Sequence, residues 1–205
     1  MFNLIKGAKI NENIALKEEY EINGNWIYAN ISAENIRRII NQFIEIENTE
    51  LFCLFIEIPA NMTDENVIRK TEDGYCVTEK MHKDIYYLDD ISAKDLNELL
   101  NVFEDILIND GLSSFGVLSQ KGNEIGKYKY NVMGAYSDGE DLSPIIEAFY
   151  NVKIPRTDKL VTAWDCFYQD NPGESELYKK DCKTIYDVVE TLKEVGMYKY
   201  EQREE

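Results

Sequence analysis

The sequence predicts a single α+β domain in which a mixed or antiparallel sheet is covered by helices. Three observations carry that prediction. Apolar residues recur at helical spacing over four stretches, and short aromatic runs with strand character lie between them. A strand-helix-strand pattern over about residues 25–58 also returns over about 85–119. With 205 residues, 44% of them hydrophobic, the chain 1–205 is long and apolar enough for one core and too apolar for a disordered chain.

The first strand candidate is Asn25 to Ala29, followed by a helix over 32–47. Its stripe is Ile36, Ile39, Ile40 and Phe43, the spacing of a helix with one buried face. Ser32 reads as its N-cap, with Ile31 and Ile36 as a hydrophobic staple. Leu51 to Ile58 then reads as a strand. The segment Ile31-Ser32-Ala33-Glu34-Asn35-Ile36 returns as Ile91-Ser92-Ala93-Lys94-Asp95-Leu96, and the match continues through Asn41/Asn101 and Phe43/Phe103. A second helix is therefore expected over 92–109, striped by Leu96, Leu99, Leu100 and Phe103 and capped by Ser92. Ile85 to Leu88 and Ser114 to Ser119 are its flanking strands. The pattern is that of an internally duplicated strand-helix-strand unit, with right-handed crossovers if its strands are parallel in one sheet.

Between the copies, Pro59 to Gly74 is polar and reads as a long loop, followed by Tyr75 to Thr78 as a short strand. Lys127 to Tyr136 reads as one strand, with Tyr128, Tyr130, Val132 and Gly134 on one face. The C-terminal strand-helix segment, 137–197, opens with a helix over 143–150 in which Ser143 is the N-cap and Pro144 the first helical residue. Leu160 to Tyr168 carries apolar residues on both faces and is expected to be an interior strand. A last helix over 184–195 is capped by Thr184, striped by Ile185, Val188, Val189, Leu192 and Val195, and closed by Gly196. The residues after Gly196 are expected to fray.

Thirty-nine acids against 22 Lys and Arg leave a net charge of −17. That balance argues against direct binding to nucleic acid or an anionic membrane, since both require a positive footprint. The longest clean apolar run, Leu51 to Ile56, is far short of the about 20 residues of a membrane span. No secretory signal pattern opens the chain, so a soluble cytoplasmic protein is expected. Cys53, Cys76, Cys166 and Cys182 read as reduced, buried thiols. With no C-x-x-C pair and one histidine, His82, a Cys/His zinc site has no ligand set. The acidic loops Ser137 to Asp141 and Asp170 to Glu174 lack the calcium-loop spacing, and Gly122, Gly126 and Gly134 lack that of a phosphate-binding loop. No metal or cofactor is expected.

Two constellations could carry chemistry. His82 and Asp84 share one face at strand spacing, as a base and its orienting carboxylate would. Asp165, between Ala163 and Phe167, is expected to be a buried carboxylate, whose pKa burial would shift. Charge placement is the stronger signal. From residue 84 to 110 the acids are Asp84, Asp89, Asp90, Asp95, Glu98, Glu104, Asp105 and Asp110, opposed by Lys94 alone. Lys94, Glu98, Asn101 and Asp105 form the solvent stripe of the second helix. In the first helix that stripe is Glu34, Arg38, Asn41 and Glu45, with Arg37 beside it. Asp89, Asp90, Glu98 and Asp105 are therefore expected to form one exposed surface that binds a basic partner, and reversing Glu98 and Asp105 to Lys should leave stability nearly unchanged.

In size, acidity and lack of a catalytic motif the chain resembles bacterial immunity and inhibitor proteins that neutralise basic toxin domains. The resemblance implies an acidic protein-binding module rather than an enzyme. The competing expectation is an enzyme or small-molecule-binding protein whose pocket uses Asp165 or the His82/Asp84 pair.

Overall fold

The computed structural model of the chain describes residues 2–11, 13–60, 68–70, 76–78, 82–167 and 173–204. Its elements are β1 (Ala8–Lys9), β2 (Glu19–Asn23), β3 (Trp26–Asn30), α1 (Ala33–Glu47), β4 (Leu51–Pro59), β5 (Ile68–Lys70), β6 (Cys76–Thr78) and β7 (His82–Ser92). They continue with α2 (Ala93–Asn109), β8 (Ser114–Ser119), β9 (Asn123–Lys127), β10 (Val132–Ser137), α3 (Ser143–Val152), β11 (Glu174–Ser175), α4 (Ile185–Lys193) and β12 (Tyr198–Glu204). Eight strands form one sheet in the order β12-β7-β4-β8-β9-β10-β3-β2, and every neighbouring pair is antiparallel. The fold is α+β. Two ribbons, β1-β11 and β5-β6, lie outside this sheet. Among the described residues no helix is long and apolar enough to cross a membrane.

Strand alternation assigns the two faces. Ile27, Ala29, Phe52, Leu54, Ile56, Ile58, Phe115, Val117, Ile125, Met133 and Ala135 point to one side, where they form a single core with the apolar stripes of all four described helices, except that Val195, expected in the last stripe, lies beyond α4 and is exposed. Phe55, Ile85 and Val132, on the other face, are buried yet stand apart from that core. Among the described residues, no α-helix packs on that second face.

Both predicted strand-helix-strand segments exist, as β3-α1-β4 and β7-α2-β8. In an all-antiparallel sheet alternate strands run the same way, so β7 and β8 are parallel with β4 between them. β3 and β4 are parallel with β10, β9 and β8 between them. The segments thus share element order and polarity, but α1 carries the chain across a wider part of the sheet.

The helix starts differ. Ser92 Oγ accepts from the Asp95 amide at 3.1 Å and donates to the Asp95 carboxylate at 2.7 Å, a reciprocal cap. Ser32 makes no cap bond to α1; its buried hydroxyl accepts instead from the Asn3 amide, fastening the N-terminal segment. In α3 the capping group lies two residues before the predicted one: the Asp141 carboxylate accepts from the Ser143 amide at 3.0 Å. α4 starts as expected, with the Thr184 amide and hydroxyl both donating to Asp187.

Four expectations are corrected. Residues 127–136 are not one strand, because Tyr130 and Asn131 adopt positive φ and break the run into the hairpin β9-β10. Leu160 to Phe167 is no strand: it crosses the end of the sheet and closes in a one-turn 3-10 helix over Trp164–Cys166. The Asn30 amide side chain holds it at the Val161 carbonyl and Glu21 at the Leu160 amide. The residues after Gly196 do not fray, since β12 pairs with β7 along the sheet edge. Nor are three of the four thiols buried: Cys53 and Cys166 are half-buried and Cys182 is exposed, all three free, while the burial of Cys76 lies outside the described residues. Cys76–Thr78 forms the predicted short strand, but its partner β5 (Ile68–Lys70) lies inside the stretch 59–74 expected to be a loop; the rest of that stretch beyond residue 60, and residues 168–172 with most of the acidic loop Asp170 to Glu174, lie outside the described residues.

Candidate functional site

The helix-free face of the sheet is organised around a row of small residues. Strand register places Tyr198, Tyr87, Phe55, Gly116, Gly126, Gly134 and Tyr28 side by side across seven strands. Glycine is disfavoured inside strands unless something must approach the backbone closely. Here aromatic rings do so. The Phe55 ring covers Gly116 and Gly126, and the Tyr128 ring covers Gly134, where an added methyl group would stand 2.8 Å from Cε2. Large aromatic side chains flank this centre with much of their surface in water: Trp26 (40% exposed) and Tyr28 (41%) on one side, Tyr198 (44%) and Tyr200 (58%) on the other.

Two clefts lie on this face. The first, about 520 Å³, is lined by Tyr87, Tyr198, Tyr200, Cys53, Asp89 and Asp90. Its acids are placed by a bulge. The β4-β7 register shifts between Phe52 and Leu54, and Asp90 takes φ 56°, so two consecutive aspartates are exposed where a regular strand would turn one inward. Asp89 accepts from the Tyr198 hydroxyl at 2.6 Å, a bond that pushes the phenol up to about 12. The Cys53 thiol is pushed up by burial and then by its hydrogen bond to Asp89, so it is not an activated nucleophile.

The second cleft, about 550 Å³, is lined by Trp26, Tyr28, Tyr128, Trp164, Lys83 and Lys129, with Gly134 in its floor. Behind Tyr128 stand Glu57 and Glu124. Burial raises the Glu124 carboxyl above its ordinary value, the like charge of Glu57 adds to this, and a hydrogen bond with Tyr128 opposes it.

The structure separates the four predicted binding acids. Asp89 and Asp90 stand together in the first cleft, and Glu98 is exposed on α2 with Lys94 at 3.8 Å. Asp105 is half-buried in a different depression, where it accepts from Lys6 at 3.0 Å and from the Tyr178 hydroxyl at 2.9 Å, with Lys180 at 3.4 Å. Arg37, placed beside the solvent stripe by periodicity, is buried between α1 and α2 and donates to Asn97 and Asn101.

Asp84 is bound by Gln202 and Lys199 of β12, each at 2.7 Å, not by His82, whose Nδ1 is buried without a hydrogen-bond partner among the described residues. Asp165 is not buried. It is exposed and accepts from the amide and hydroxyl of Thr162 at 2.8 Å each, bonds that hold its carboxyl below the usual range. It locks the turn that carries Trp164. Among the described residues no three His, Cys, Asp or Glu side chains gather as a metal site requires. The aromatic face itself was missed from sequence; its trace there is Trp26 and Tyr28 at strand spacing, with Gly116, Gly126 and Gly134 falling inside strands.

No protein-family model, curated protein or solved structure matches the chain. Its functional reading rests on the geometry of this face.

Proposed function

We propose that the chain is an acidic binding module that docks a basic protein on the helix-free face of its sheet, in the manner of an immunity or inhibitor protein occupying a basic toxin domain. The observation that carries this reading is the cleft in which Asp89 and Asp90 stand beside Tyr87, Tyr198 and Tyr200. Adjacent carboxylates bind a guanidinium or ammonium group with charge-assisted hydrogen bonds, and tyrosine faces attract the same cation. The exposed tyrosines supply rigid contact area at low entropic cost, as interface anchors do. The net charge of −17 steers a basic partner inward and repels nucleic acid. A cytoplasmic setting fits the free thiols.

The test uses the full chain as bait against a basic-protein fraction, and hexa-arginine as a defined probe, at low and moderate salt. Asp89→Asn/Asp90→Asn is expected to abolish probe binding and to release the proteins captured by the parent, while Glu98→Lys retains both. Equal capture by the parent and the Asp89/Asp90 variant would overturn the reading.

A further inference from the structure

The second cleft is built differently from the first. Trp26 and Tyr28 lie two residues apart on β3 as a stacked pair, with rings 6.0 Å apart and within 9° of parallel, and together they line one wall of the recess. Trp164 stands on the opposite segment, backed edge-on by Tyr130 at 4.9 Å and Phe167 at 5.6 Å, and Tyr128 lies in the floor over Gly134. Asp165, through its two bonds from Thr162, fixes the turn that presents Trp164. Half of the Trp164 surface is exposed, as is two-fifths of that of Trp26 and of Tyr28. Leaving three large aromatic surfaces in water around one recess forgoes burial that a flat guest would restore. In this strongly acidic chain the ionisable side chains that line the recess among the described residues, apart from Tyr28 and Tyr128, are Lys83 and Lys129.

We propose that this cleft binds a small molecule with a flat aromatic ring system and an anionic substituent, the ring stacked between the Trp26/Tyr28 wall and Trp164 and the anion facing Lys83 and Lys129. This site does not depend on the docking of a basic protein. The chain contains two tryptophans, and both line the recess, so tryptophan emission reports its occupancy directly.

Titration of the full chain with 8-anilinonaphthalene-1-sulfonate should quench tryptophan emission and raise dye emission along one saturable curve. Trp164→Ala should weaken that binding by about fivefold, the worth of one aromatic stack. Lys83→Gln/Lys129→Gln should weaken it by about tenfold, the worth of two partly exposed charge pairs. Glu98→Gln, on α2, should bind as the parent does. The uncharged analogue N-phenyl-1-naphthylamine should bind more weakly than the sulfonate. If Trp164→Ala loses its cooperative thermal transition, Tyr28→Ala tests the other wall and should show a comparable loss of affinity. Non-saturable quenching, or wall variants that bind as the parent does, would overturn the site; equal affinity for the neutral dye would overturn its preference for an anion.

Discussion

The Phe55 ring lies across Gly116 at the centre of the sheet, where a methyl group added to the glycine would stand 2.6 Å from Phe55 Cζ. The glycine makes room for the ring, and the ring covers backbone that glycine would otherwise leave exposed. Gly116→Ala should therefore cost about 1–3 kcal/mol, the usual price of overpacking. In a Phe55→Ala background part of that cost should vanish, the remainder being the approach of the methyl group to the Ile125 carbonyl. Urea unfolding of the four proteins should show a coupling of at least about 0.5 kcal/mol, and strict additivity would deny the contact its role.

A tighter approach joins three segments distant in sequence. The Gly7 amide donates to the Asn109 carbonyl and the Gly111 amide to Glu176, while the Glu176 amide returns to Gly7. A methyl group on Gly111 would stand 2.6 Å from the Gly7 carbonyl carbon and 2.9 Å from the Glu176 oxygen. Backbone cannot swing aside as a side chain can. Gly111→Ala should cost about 3 kcal/mol or more, whereas Gly139→Ala, with nothing within 4 Å of the added methyl group, should stay within about 0.5 kcal/mol. Thermal melts of the two variants make the comparison.

The elements legible in the sequence were those whose signal is local. The stripes of α1, α2 and α4, the cap of α2 and the strand β8 rest on residues within a few positions of one another. What stayed hidden depends on distant partners. Asp105 reads as solvent-facing until Lys6 and Tyr178, 99 and 73 residues away, arrive beside it. Leu160 to Phe167 is apolar on both sides because it packs over a sheet end while exposing Trp164, not because it is an interior strand. β12 has no buried residue, so its alternation carries no hydrophobic signal. Asp89 and Asp90 were singled out as acids, but their shared exposure comes from a bulge whose partner is in β4.

Lys127 is wholly buried, its ammonium donating to the carbonyls of Asp110 at 2.5 Å and Ser113 at 3.1 Å. Burial lowers its pKa from 10.5 to about 8. Between those values the unfolded chain holds a proton that the folded chain has released, so this residue makes stability rise with pH from about 8 to 10.5. Below about 8 both states carry the proton and the contribution is flat. The gain across the window is on the order of 3 kcal/mol. Lys127→Met should abolish that rise, and near neutral pH its net cost should fall below the about 2 kcal/mol of two unpaired buried carbonyls, because the variant no longer buries a charge. Urea midpoints measured at half-unit pH intervals follow both effects.

Glu98 and Asp105 lie two helical turns apart on α2, yet they should respond oppositely to substitution. Glu98 is exposed, and its ion pair with Lys94 is the weak i, i+4 kind, so Glu98→Lys should change stability by less than about 0.5 kcal/mol. Asp105 fastens the N-terminal segment and the residue 178–180 region to the same helix through Lys6, Tyr178 and Lys180. Burial pushes its carboxyl up, but the hydrogen bonds from Lys6 and Tyr178 outweigh that and hold it below its ordinary 3.8. A depressed carboxylate stabilises the folded chain above 3.8 and loses that contribution as pH falls toward the folded value. Asp105→Asn should therefore cost about 1 kcal/mol at pH 7 after screening, and the difference from the parent should shrink as pH falls below 3.8. Reversal of both residues to Lys should then destabilise through Asp105 alone. A double reversal that melts with the parent at pH 7 would show that the Lys6 and Tyr178 contacts contribute nothing to holding these segments on α2.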